Sequence, residues 1–310
     1  MNTPIQLQER SQDAIQPAAG TIMQFEPRTR TPFVVSERYL GESRLHHLKG
    51  GFTAEVIQDP GDRLIQAGLF ARASEELADV ALAAFGKPAR ERDTYVPQHV
   101  IAKNALWVDW LVVVRKRNQP VAFGSATFIA PGLLYLSSAM VVPSEQPSGV
   151  GVVANSLLWK LAVETAMMQG MPEPEVVCRT HNRNVASVLL HLLKDGRLSS
   201  EAAGDVQAQA VFMKTANHLH CEYDPETGVS QNVYPEGLPA GTKTNDARLN
   251  AAFRHVGPCA ACYVAGHLNL RYITRLVSRQ LVEPKPGLAR ELERVSQEKL
   301  PLLQPLPQVA

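Results

Sequence analysis

The sequence predicts an α/β protein with a mixed, mostly antiparallel sheet flanked by helices, followed by a C-terminal helical extension. Three observations carry this. The apolar runs DWLVVVRK, PVAFGSATFI and LLYLSSAMVV are joined only by RNQP and APG. Such joints are too short for a crossover helix, so the runs read as neighbouring antiparallel strands. Directly after them, Gly149 and Gly151 precede a long stretch with apolar residues at helical spacing, including Leu157, Leu158, Leu161, Ala162 and Val163. Then PEVVCRT reads as a strand and NVASVLLHLLKDG as a helix closed by Gly196, which restores a strand–helix alternation.

Residues 1–50 mix Gln, Pro, Ser, Thr and charge with little apolar period, and read as an arm. FTAEVIQ is a short strand, Pro60-Gly61 a turn, and LIQAGLFARASEELADVALAAFG a helix up to Gly86. After the meander and the glycine loop, Ser156, Lys160 and Glu164 form a polar strip on the following helix, which Gly170 and Pro172 stop. VQAQAVFMKTA reads as a further strand. A main domain over 51–223 is thereby bounded by a Pro/Gly/Asn-rich connection over 224–245. The helical extension covers 246–310, with helical segments from Leu249 to Leu281, a charged helix from Gly287 to Leu300 and a proline-rich tail.

At 310 residues the chain can bury a core without staples. Its four cysteines are sparse and no signal-peptide pattern opens the sequence, so a reducing, cytoplasmic setting is expected. No apolar run approaches the roughly 18 uncharged residues of a membrane span, so none is expected. Net charge is +1, but from Lys243 to Val282 positive residues exceed negative ones by five.

The stretch from Val141 to Met168 contains two overlapping glycine signatures. GVGVVA fits a dinucleotide turn, and QPSGVG fits the Q/R-x-x-G-x-G loop that wraps coenzyme A. Both use unpaired N–H groups and partial positive charge at a helix N-terminus. A dinucleotide site needs its first glycine directly after a parallel strand and an acid at the end of the next strand. Here five residues separate the strand end from Gly149, the preceding strands are antiparallel, and the next strand ends in Cys178-Arg179.

The order strand, Val141-x-Pro143, Gln146, Gly149, Gly151, long helix, strand, asparagine, helix resembles the GNAT superfamily of N-acetyltransferases over roughly residues 51–223. The resemblance implies transfer of acetyl from acetyl-coenzyme A to a small-molecule or protein amine by direct attack. It implies that main-chain groups of Ala139, Met140 and Val141 bind the pantetheine arm. The N–H groups of Ser148, Gly149, Val150, Gly151 and Val152 would hold the diphosphate, framed by Gln146. Asn184 corresponds to an asparagine common after the next strand, although Asn182 matches the spacing from Arg179. His191 then falls where the family commonly has a tyrosine that protonates the leaving thiolate, with Ser187 a second donor. Asp109 is the best remaining acid for deprotonating the amine. A catalytically inactive binding or structural module of the same fold is the competing reading.

In the extension, Cys259 and Cys262 read as i, i+3 residues on a helix starting at Pro258. With His255, His218, His220 and Cys221 they raise a zinc site, but packed free thiols are the expectation and no metal is assigned. Arg271, Arg275 and Arg279, one helical turn apart beside Tyr272, offer a nucleic-acid contact or a solvated face.

Overall fold

The structure is a computed structural model that describes residues 40, 44–87, 98–233 and 244–282. The meander forms as its short joints require: β3 (Trp110–Lys116), β4 (Gln119–Ala130) and β5 (Leu133–Val141) are antiparallel neighbours. Arg117 and Asn118 turn the first joint with φ of 49° and 66°, the left-handed pair of a two-residue hairpin turn, and Gly132 turns the second. β2 (Phe52–Gln58) pairs with β3, and β1 (Arg44–Leu48) pairs with β2. The sheet thus begins inside the stretch expected to be an arm; residues 1–39 lie outside the described ones.

Pro60-Gly61 opens a helix, α1 (Pro60–Gln66), where a turn was expected, because Pro suits the first helical position. The single helix expected up to Gly86 is divided: Gly68, at φ 67°, separates α1 from α2 (Phe70–Ala84). Helix α3 (Gln98–Ile101) runs into a π-helical turn over Ala102–Leu106 that packs on β4 and β5. After the glycine loop comes α4 (Val150–Met168), then β6 (Glu175–Thr180) and α5 (Arg183–Leu192). Helix α5 stops at Leu193, which turns extended and bridges Leu268, three residues before the expected stop at Gly196. By length and composition α4 could cross a bilayer, contrary to expectation, yet 67 % of it is buried in the protein's own core.

VQAQAVFMKTA is a helix, not a strand. In α6 (Val206–His218) the Asp205 carboxylate accepts from Ala208 N at 3.0 Å, and Ala208, Phe212, Thr215 and Ala216 form one buried stripe. The alternation of its first residues lost to a cap and to that stripe. The segments after α5 also differ from expectation. β7 (Arg197–Leu198), the hairpin β8 (Glu222–Asp224) with β9 (Val229–Gln231), and β10 (Ala261–His267) all join the sheet; α7 (Ala247–Ala252) and α8 (Leu270–Ser278) are its described helices. β10 lies antiparallel to β6, so the sheet runs β1-β2-β3-β4-β5-β6-β10-β9-β8, with β7 also on β10. The 246–282 segment therefore completes the same sheet. The charged helix and tail expected after it lie outside the described residues.

Helices α4, α5, α7 and α8 cover one face over a core that includes Leu134, Leu158 and Val264. On the other face α2 and the π turn bury Leu77, Leu106 and Phe123, and α6 buries Phe212 against Tyr135 and Tyr263.

Candidate functional site

β5 and β6 are the parallel pair, and they part early. Register holds from Leu133↔Glu175 to Leu136↔Cys178, then stops although β5 continues to Val141. β6 itself runs only two residues further, to Thr180. Against β4, Ala126 pairs with Leu136 and Ser125 with Ser138, which leaves Ser137 as the extra residue of a bulge. A bulge adds local twist, and this one sits where the pairing with β6 ends. The edge of Ser137–Val141 that faces β6 is left without a strand partner, and Ala139 is exposed there.

Both strands end at the same end of the sheet because they are parallel, so α4 and α5 begin on either side of the gap. Each presents the positive end of its peptide dipoles. Pro143–Ser148 forms a 3-10 turn on the surface, and Gln146 Nε2 donates to Val141 O at 3.2 Å. The one carboxylate of that turn, Glu145, is tied to Lys116 Nζ at 2.9 Å, which offsets its charge beside the helix end. Three of the five expected diphosphate donors already have internal acceptors: Gly149 N bonds Gln146 O at 3.2 Å, Val150 N bonds Ser148 Oγ at 3.2 Å, and Val152 N bonds Gly149 O at 3.1 Å. An incoming phosphate would replace the Ser148 hydroxyl at Val150 N.

The two glycines are needed for different reasons. Gly149 adopts φ 70°, where a side chain is strained. Gly151 lies against β5, where a Cβ would come within 2.4 Å of Val141 Cγ2. A third glycine, Gly124 on β4, belongs to the same construction: a Cβ there would sit 1.8 Å from Asn155 Oδ1. Asn155 is 4 % exposed and donates from Nδ2 to Gly151 O at 2.8 Å, while its Oδ1 has no hydrogen-bond partner. Gly124 pairs with Ala139, so the absence of a side chain there lets this amide, bonded within α4, pack directly on the strands bordering the gap.

On the β6 wall, Thr180 Oγ1 accepts from Asn182 N at 3.0 Å, and Asn182 Oδ1 caps α5 by accepting from Asn184 N at 2.9 Å. Asn182 is thus the capping residue, and Asn184 is exposed in the first turn. Between them and β6 stands His181, whose pKa is lowered by burial.

Ala139, Met140 and Val141 lie at the end of β5, Gln146 and Ser148 in the turn after it, Gly149, Val150, Gly151 and Val152 at the start of α4, and Asn184 in the first turn of α5. Asp109 is not among them. That carboxylate accepts from Phe128 N at 2.6 Å and Thr127 Oγ1 at 3.0 Å, opposite Leu134 and Tyr135 at the other end of the sheet. At the strand rise it lies roughly 15 Å from Ala139. His191 is also displaced. It is exposed about 12 Å down α5 from the helix start, and its Nδ1 donates to Ser187 O at 2.7 Å, one turn back. Ser187, half-buried, shares that part of the helix. Sequence reasoning missed Gly124, Asn155 and His181; Asn155, an amide inside an apolar helix, was the available signal.

The cysteine pair does not form a helix face. Cys259 precedes β10, and Cys262 lies in it, fully buried, its thiol pushed up to about 12 by burial. Cys221 Sγ accepts from Arg179 Nη1 at 2.9 Å. Arg271 and Arg275 lie on the exposed face of α8, which buries Ile273 and Val277, with Arg279 just past its end.

No protein-family model matches the chain, and no curated protein matches it. Among solved structures it is similar to an IAA acetyltransferase from Bacillus cereus ATCC 14579, with 13 % identity, TM-score 0.34, and 69 % of this chain and 99 % of that one covered. It is similar to the ribosomal-protein-S18-alanine N-acetyltransferase from Escherichia coli, with 12 % identity, TM-score 0.33, and 69 % and 94 % covered. A GNAT family acetyltransferase from Elizabethkingia anophelis with acetyl-CoA bound gives 13 % identity, TM-score 0.31, and 61 % and 89 % covered. Similarity at that level assigns no residue a role, and the functional reading rests on the geometry of the gap.

Proposed function

We propose that the chain is an N-acetyltransferase that moves acetyl from acetyl-coenzyme A to a primary amine by direct attack in a ternary complex. The observation that carries this reading is the gap beside the Ser137 bulge and the glycine-led start of α4. The diphosphate takes the N–H groups at the head of α4. The pantetheine arm, an amide chain, uses the unpaired edge of Ala139–Val141 as a strand would. A β5 N–H directed at the thioester carbonyl stabilises the oxyanion, and holding both reactants in line supplies most of the remaining acceleration.

In the transfer step the amine nitrogen bonds the carbonyl carbon, the C–S bond breaks, and the thiolate leaves with the electron pair and takes up the proton that the new amide nitrogen sheds. The amine must first lose a proton. His181, which directly follows β6, is the acceptor in this reading, and burial, which lowers its pKa, favours the neutral imidazole that the role requires. The acceptor is a small-molecule or protein amine, and the four free thiols suit a cytoplasmic setting. A second reading, a module that binds coenzyme A without turnover, is favoured by the placement of Asp109 and His191 away from the gap.

Thermal shift with acetyl-coenzyme A tests the site, and free-thiol release with an amine panel tests turnover. Stabilisation with thiol release supports the transferase, and stabilisation without release across the panel supports the module. Absence of stabilisation at millimolar acetyl-coenzyme A removes both.

A further inference from the structure

The end of the sheet remote from the gap holds two adjoining cavities, of about 410 and 170 Å3, that share Asp59 and Asp109. The larger is floored by Phe128, Ala162, Ala166 and Met171, apolar groups from β4, from α4 and from the turn after it. The smaller has Trp107 on its wall, 53 % exposed, with the Phe70 ring packed at a tilt against its indole, centroids 5.4 Å apart. The volume of the larger cavity falls within the range of small-molecule sites, roughly 300–1,000 Å3.

The polar groups at this place are left over from folding. Asp59 occupies the cap position of α1, where an aspartate normally accepts from the helix N–H groups, yet its carboxylate makes no capping bond. It is turned instead to the shared wall, and its main-chain N–H is tied to Asp109 O at 2.9 Å. Burial raises the Asp59 pKa, and Asp109 and Asp62 raise it further against the pull of Arg63, the one cation among those neighbours. Asp109 spends Oδ2 on Phe128 N and Thr127 Oγ1, and none of its hydrogen bonds uses Oδ1. Thr165 Oγ1, on the α4 side of the larger cavity, is out of solvent contact and has no hydrogen-bond partner.

We infer that the joined cavities form a second site, separate from the β5–β6 gap, that takes an organic ammonium ion with an apolar body. The two aspartates supply opposite charge, and the exposed part of the Trp107 indole adds an aromatic group to which a cation is attracted. The alanine, phenylalanine and methionine floor accepts a ring or alkyl chain, which a hydrated metal ion could not use. The site stands whether or not the gap binds coenzyme A.

The test uses the full chain and 2-phenylethylammonium, with 2-phenylethanol as the uncharged control of similar shape. Isothermal titration, with Trp fluorescence as a second readout, is expected to show saturable binding of the ammonium at least tenfold tighter than that of the alcohol. Asp59→Asn is expected to weaken the ammonium tenfold or more and to leave the alcohol unchanged; asparagine tolerates the φ of 49° found there, so the variant keeps the fold. Saturating coenzyme A is expected not to displace the ammonium. Equal affinity for amine and alcohol, an unaffected Asp59→Asn protein, or displacement by coenzyme A each overturns the inference. A failure of acetyl-coenzyme A to stabilise the protein bears on the gap alone.

Discussion

Filling the space that Gly124 leaves for Asn155 has a calculable cost. In Gly124→Ala the new methyl group would stand 1.8 Å from Asn155 Oδ1 and 2.7 Å from its Cγ, so the amide must swing away. It is buried and has little room, and swinging breaks its 2.8 Å bond to Gly151 O. Overpacking of a filled core costs about 1–3 kcal/mol. The lost hydrogen bond adds about 1 kcal/mol, which brings the expected destabilisation to roughly 2–4 kcal/mol. At about 2–4 °C per kcal/mol for a domain of this size, Tm falls by roughly 4–16 °C.

The decisive comparison is the same change in an Asn155→Ala background, where the obstructing amide is gone. There it is expected to cost under about 1 kcal/mol, giving a coupling energy of roughly 2 kcal/mol. Urea unfolding followed by circular dichroism, at constant m, measures all four proteins. If Gly124→Ala costs the same in both backgrounds, the contact as described is wrong.

Gly149→Asp places a carboxylate at the head of α4 and is expected to abolish stabilisation by acetyl-coenzyme A in a thermal shift assay, while lowering the basal Tm only by the cost of a left-handed non-glycine residue, about 1–2 kcal/mol. His46, His181 and His218 all have pKa values lowered, each chiefly by burial. The unfolded chain then binds more protons than the folded one below the ordinary histidine value of about 6.5, so stability is full above that pH and falls as pH drops through it. Urea midpoints measured from pH 7.5 to 5 should show this slope, and His46→Gln should flatten it. In turnover, His181→Gln is expected to lower kcat tenfold or more with the apparent affinity for acetyl-coenzyme A unchanged; an unaltered pH–rate profile would show that another group takes the proton. Replacing Arg271, Arg275 and Arg279 with Ser should leave stability within about 0.5 kcal/mol. The nucleic-acid reading requires the parent protein to bind DNA or RNA with an affinity that falls as salt rises.

Local chemistry made much of this chain legible in its sequence. RNQP and APG left the meander no other path, and the glycine pair before an apolar helical period marked the start of α4, because turn length and φ requirements act within a few residues. The segments that misled were those whose neighbours are distant. Val206–Ala216 alternates like a strand at first, and only burial of Phe212 against Tyr135 and Tyr263 settles it as a helix. Ala261–His267 is apolar on both faces, so it has no period to distinguish strand from helix until β6 and β9 flank it.

The candidate site divides in the same way. The sequence by itself determined that residues 146–152 make a glycine-bearing helix start, since Gly149 needs its φ whatever surrounds it. Only the tertiary structure decided that an unpaired edge of β5 lies beside that start, because pairing with β6 stops at Leu136 and register between strands is a property of pairs. It also decided which acids and bases face the gap. Asp109 is bonded to the far end of β4 and His191 lies down α5, whereas His181 directly follows β6, a strand held in place by partners distant in sequence, β5 before it and β10 after it.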